Sequence, residues 1–129
     1  MILVDSSVWI DFFNGKDNLP VEKLYQLLGN EIIATGDLIA VEVLQGFQKE
    51  THFRKAKEVF KEIPFFSLCN PQLSIIAAEN HRTLRKKGAT IRKTIDLIIV
   101  TFCIENDHQL LHQDRDFTSM EKWLGLQVV

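Results

Sequence analysis

Five carboxylates in this chain sit where an acid needs a reason: Asp5, Glu42, Asp96, Asp114 and Asp116. Asp5 ends the apolar burst Met1-Ile2-Leu3-Val4, which has no polar alternation and reads as a strand covered on both faces. In open α/β sheets the ligand crevice forms beyond the carboxyl ends of the strands, so an acid there faces a site. The competing account is a helix cap supplied by Asp5, Ser6 or Ser7. Glu42 is the single charge in Leu38-Ile39-Ala40-Val41-Glu42-Val43-Leu44, with Leu38 and Ile39 one turn behind it. Burial disfavours its ionised form, so it neutralises, pairs with a cation or metal, or snorkels out at a helix edge.

Asp96 lies in Thr94-Ile95-Asp96-Leu97-Ile98-Ile99-Val100, where Thr94 can act as N-cap and the helix dipole favours a first-turn acid. The start of a central helix also lies at the mouth of the crevice, where Asp96 could share a site with Asp5. Asp114 and Asp116 alternate in Leu111-His112-Gln113-Asp114-Arg115-Asp116-Phe117. An Asx turn or a helix cap accounts for one of them, with Asp116 placed to cap the following helix. Two like charges so close repel unless a cation sits beside them, and a metal is the economical explanation.

The elements that must position these acids follow from periodicity. Ser7 to Phe13 is expected as a short helix closed by Asn14-Gly15, and a second helix starts at Pro20 and ends at Gly29-Asn30. Ile32 to Ala34 form a strand, Asp37 to Gly46 a helix, and Glu50 to Lys61 an amphipathic helix. Phe65 to Leu68 read as a third strand, Pro71 to Lys87 as a long helix stopped by Gly88, and Ile95 to Glu105 as a nearly all-apolar central helix. Gln109 to Leu111 is the fourth strand, Thr118 to Trp123 a short helix, and Leu126 to Val129 an edge strand. Short strands alternating with helices predict an α/β fold, with a mainly parallel central sheet between helices.

A length of 129 residues, 46% hydrophobic and 25% charged, predicts one soluble globular domain spanning the chain. No apolar run is long enough to cross a bilayer and Met1-Ile2-Leu3 lacks a basic prelude, so a cytoplasmic protein is expected. Cys69 and Cys103 form no Cys-x-x-Cys pair and read as buried thiols. His108 and His112 are four apart but lack a third ligand, so they are set aside as a zinc pair. A net charge of −2 excludes the broad positive field of a non-specific nucleic-acid binder. Any such contact must be local, and Arg82, Arg85, Lys86, Lys87, Arg92 and Lys93 offer one; the alternative is a solvated helix end favoured by its dipole.

Four segments together resemble the acidic motifs of the PIN-domain nucleases, and the chain's small size is most similar to the toxin members of VapBC toxin–antitoxin systems. Val4-Asp5-Ser6-Ser7-Val8-Trp9-Ile10-Asp11 resembles the first motif, Ala40-Val41-Glu42-Val43-Leu44-Gln45-Gly46 the second, Ile95-Asp96-Leu97-Ile98-Ile99-Val100 the third and Asp114-Arg115-Asp116-Phe117 the fourth. Each is weak alone; all four in this order are specific. Thr35-Gly36-Asp37 departs from the commoner Ser-Pro or Thr-Pro, and Phe102-Cys103 stands where small residues are frequent.

The resemblance implies a three-layer α/β/α PIN-like fold and a metal-dependent endoribonuclease that hydrolyses RNA phosphodiester bonds. It puts Asp5, Glu42, Asp96 and Asp114 in the catalytic set and Asp5, Asp96, Asp114 and Asp116 around one or two Mg²⁺ or Mn²⁺ ions. Ser6 would orient Asp5 or a metal-bound water, while Arg82, Arg85, Arg92 and Lys93 would hold substrate phosphates. The implied partners are RNA and a VapB-like antitoxin whose C-terminal segment fills a groove; the toxin would pair with itself as a homodimer, within a heterotetramer or larger assembly. Trp9, Phe12, Phe13 and Phe47 are candidates for that groove, although core is their commoner place. The rival is an aspartate-based phosphoryl-transfer or receiver-type Mg-binding α/β domain. It leaves Glu42 without a task, and an aspartate-nucleophile phosphatase would want an acid where Ser7 stands. A fold that has lost activity is a third option, against which the retained acids speak.

Overall fold

Ile2, Leu3 and Val4 are all buried and form β1 (Ile2–Val4), as their unbroken apolarity requires. In the computed structural model, which describes residues 1–129, β1 pairs in parallel with β2 (Ile33–Gly36), Ile2 opposite Ile33 and Leu3 opposite Ala34. β2 pairs in parallel with β3 (Phe65–Phe66), and the four-stranded order is β3-β2-β1-β4, with β4 at Gln109–Leu111. The helices are α1 (Ser6–Phe13), α2 (Leu19–Leu27), α3 (Asp37–Gln45), α4 (Glu50–Glu62), α5 (Pro71–Lys86), α6 (Thr94–Glu105) and α7 (Thr118–Leu124). The expected α/β class is the one found.

The chain divides into two units: Met1–Ser67 with Leu111–Gln113, and Leu68–Leu110 with Asp114–Val129. The first is built around Trp9, which is fully buried, stacks on Phe13 at 5.6 Å and meets Phe60 edge-on at 5.2 Å. Trp9 and Phe13 are therefore core, and truncating a buried Trp costs about 3–5 kcal/mol. Phe12, Phe13 and Tyr25 with Lys55 and Val59 line a cavity of about 250 Å³. In the second unit, α5 packs Leu73, Ala77 and Leu84 inward, and α6 buries seven of its residues. Asn80 Nδ2 donates to Thr101 Oγ1 at 3.1 Å, and that hydroxyl donates to Leu97 O at 2.7 Å, which satisfies the polar groups buried there.

Local signals hold where side chain and backbone agree. Asn18 and Asn70 accept from the N–H groups of Val21 and Leu73 at 3.0 and 2.9 Å, and Pro20 and Pro71 occupy the first turns of α2 and α5. Gly88, at φ 79, sits in the left-handed region just past the end of α5.

Four expectations need correction. The third strand stops at Phe66, because Leu68 is drawn into the core of the second unit. The edge strand reduces to one bridge, Leu110 with Val128: Gly125, at φ 77, turns the chain, and Leu110 exchanges hydrogen bonds with Gln127 and Val129. Thr94 is the first residue of α6, not its cap; Lys93 holds the cap position without a side-chain bond. Cys103 is buried, which pushes its thiol up to about 12, but Cys69 is exposed. No helix is long and apolar enough to cross a membrane.

Candidate active site

Asp5 ends β1 and occupies the N-cap position of α1, with φ −64 and ψ 151, yet its side chain makes no capping bond. Oδ2 accepts from Ser7 Oγ at 2.7 Å, while Oδ1 is buried with no hydrogen-bond partner. Its backbone N–H donates to Leu111 O at 2.9 Å, fixing the end of β1 against the end of β4. Capping therefore does not explain Asp5, which is only 4% exposed. An ionised carboxylate so deeply buried is costly unless a cation or further donors meet it.

The hydroxyl on Asp5 is that of Ser7, not Ser6. A helix starting at residue 6 turns the residue two beyond Asp5 back towards it. One strand over, Thr35 is fully buried with Oγ1 unpartnered, and continuing the Leu3–Ala34 register sets it across from Val4. Glu42 sits on α3, half-buried, with its Oε1 buried.

Asp11 was missed as a structural anchor. Its Oδ2 accepts from Gln113 Nε2 at 2.8 Å and from Asn18 Nδ2 at 3.1 Å, with Lys16 Nζ at 3.8 Å. Gln113 lies 102 residues from Asp11 and immediately before Asp114, so this contact ties the segment after β4 to α1. No sequence pattern announces a contact of that separation.

In the second unit Asp96 is 6% exposed, in the first turn of α6. Asp114 caps the 3-10 turn Arg115–Phe117, its Oδ1 accepting the Asp116 N–H at 2.9 Å. Capping thus falls to Asp114, whereas Asp116 points its carboxylate to Arg92, with Nη2 at 3.7 Å from Oδ1. Arg92 is thus a cation beside Asp116. Lys93 is exposed at the entry to α6; Arg82 and Arg85 are exposed on the last turns of α5, where Arg85 Nη2 lies 3.4 Å from His81 Nδ1. The structure thus brings Arg92 to an acid and leaves the α5 arginines on a solvated face. No three His, Cys, Asp or Glu side chains are grouped to hold a metal ion.

The chain thus has a parallel α/β sheet with a buried acid just past the carboxyl end of β1, another in the first turn of α6 and a pair after β4. The PIN domain family matches residues 2–122, and this chain belongs to that family. It is 26% identical over 129 residues to the VapC ribonuclease Mb1587 of Mycobacterium bovis and to ribonuclease VapC11 of Mycobacterium tuberculosis; the match covers 98% of this chain and 96% of each relative. Among solved structures it is similar to VapBC2 from Rickettsia felis bound to a promoter DNA fragment, with TM-score 0.77, 17% identity, and 100% and 98% of the two chains covered. It is likewise similar to VapBC-1 from nontypeable Haemophilus influenzae, with TM-score 0.73, 21% identity, and 100% and 97% covered. These likenesses span the whole chain, so the PIN-like α/β/α fold expected from the sequence is its fold.

Proposed function

We propose that this protein is a divalent-metal-dependent endoribonuclease, the toxin of a type II toxin–antitoxin pair, and that its nuclease domain comprises residues 1–129. The observation that carries this is Asp5: a nearly buried carboxylate at a strand end, oriented by Ser7, with one oxygen left for a cation. Family membership and the ribonuclease names of its relatives support the class of reaction.

The donor set is carboxylate and hydroxyl oxygen, which suits hard Mg²⁺ or Mn²⁺ rather than zinc. Asp5, Glu42, Asp96 and Asp114 are the proposed acidic ligands, with Asp116 tuning the site or sharing a second ion. Mg²⁺ needs only one or two carboxylates directly, because it keeps several waters. When bound, such an ion supplies a water of lowered pKa and neutralises charge on the scissile phosphate. Ser7 fixes the Asp5 rotamer, and Arg92 holds Asp116 until a phosphate competes for the guanidinium. Arg82, Arg85 and Lys93 are proposed to position phosphates, a role that sets register and not sequence. Ser6 is proposed to bond a metal-held water. An antitoxin partner is proposed on the likeness to the VapBC complexes, and pairing with a second copy on the family resemblance alone.

Purified protein incubated with single-stranded RNA should cut it with Mg²⁺ or Mn²⁺ and not in EDTA. Asp5→Asn and Asp96→Asn should abolish cleavage while remaining folded. Cleavage that persists in EDTA would overturn the metal assignment, and a covalent phosphoaspartate would favour the phosphoryl-transfer alternative.

A further inference from the structure

Trp123 stands in the last turn of α7 with 40% of its surface exposed, whereas Trp9 is fully buried. Lys87 Nζ lies 4.9 Å and Lys122 Nζ 4.6 Å from the centroid of the Trp123 ring. Lys87 follows Arg82, Arg85 and Lys86, so the stretch from 82 to 87 carries four cations and no acid in a chain of net charge −2. The helix dipole accounts for cations at the end of α5. It does not account for an indole left in water among them.

A part-exposed indole with two ammonium groups over its ring suits an unpaired base on the ring and its flanking phosphates on the lysines. A cation held over an exposed ring is weakly bound, so a base can take the ammonium's place on the ring and release it to the backbone. We propose that Trp123, Lys87 and Lys122 form a stacking platform for single-stranded RNA, separate from the acidic residues. This deepens the ribonuclease assignment above and rests on it. Trp123 stands seven positions after Asp116, in the helix that follows its 3-10 turn.

The test is a binding titration in EDTA, where RNA is not consumed, using a fluorescein-labelled oligouridylate of about 10 nucleotides. Unlabelled oligomer should quench tryptophan emission saturably, and Trp123→Phe should abolish that quenching while keeping the affinity measured by anisotropy. Trp123→Ala should weaken binding by at least about fivefold, the low end of base–aromatic stacking. Lys87→Ala and Lys122→Ala should each flatten the log–log salt dependence by about 0.7. Unchanged affinity in Trp123→Ala overturns the platform whether or not RNA is cut. Loss of affinity in that variant, with no cleavage by the unmodified protein in Mg²⁺, keeps the platform and removes the nuclease assignment. Equal affinity for duplex DNA or for an acidic peptide, with equal sensitivity to Trp123→Ala, overturns the assignment to an unpaired strand.

Discussion

Ser7 Oγ donates a 2.7 Å hydrogen bond to Asp5 Oδ2 while the other oxygen of that carboxylate is buried without a partner. One side of Asp5 is thus held and the other left available, which orients a ligand without saturating it. Ser7→Ala should destabilise the fold by about 1–2 kcal/mol, as expected for loss of a bond to a charged group. Ser6→Ala, whose hydroxyl does not touch Asp5, should stay within about 0.5 kcal/mol. Urea unfolding of the two variants in EDTA checks the difference; equal effects would reassign the orienting hydroxyl.

Asp5→Asn should stabilise the ion-free protein even as it abolishes cleavage. Replacing a buried charge by a neutral amide that can still accept from Ser7 relieves desolvation, by an amount of about 1–3 kcal/mol. Thermal unfolding in EDTA should therefore give a higher Tm for the variant. Adding Mg²⁺ should raise the unmodified protein's Tm and leave the variant's in place, since only a state that binds is stabilised by mass action. A variant that melts lower in EDTA would show that Asp5 stabilises the bare fold.

Arg92→Ala should separate substrate binding from folding. The Arg92–Asp116 pair spans 3.7 Å, with the arginine side chain 76% exposed, so its contribution to stability should lie below about 1 kcal/mol. Removing a phosphate contact should instead reduce the log–log salt slope of RNA binding by about 0.7. A large fall in Tm with an unchanged salt slope would make Arg92 a structural partner of Asp116 alone.

Acid should weaken the fold partly through His108. Burial holds this imidazole below its ordinary pKa, beside the Phe102 ring at 5.7 Å. The unfolded chain takes up the proton near 6.5 and the native protein only at lower pH, so the unfolded state binds more protons in that window. His108 thus contributes stability that is whole above about pH 6.5 and is lost as pH falls through its native pKa. His108→Asn should flatten the fall of stability below about pH 6.5; an unchanged slope would place the acid sensitivity elsewhere.

Asp5 at the end of an unalternating apolar run, helix starts at Pro20 and Pro71, and the nearly all-apolar α6 were legible from residue order, because strand burial, helix-start chemistry and helix periodicity are local properties. The same holds for the order of the four acidic motifs that carry the family resemblance. What a carboxylate touches was not legible. That Ser7 and not Ser6 meets Asp5, that Asp114 and not Asp116 caps, and that Gln113 reaches Asp11 across 102 residues depend on backbone turns and on chain ends meeting in space. The tertiary structure decided these, and it also decided that β3 ends after two residues and that Trp9 is core while Trp123 lies open beneath two lysines. Residue type and spacing dictate which groups can do chemistry; packing dictates which of their atoms remain free to do it.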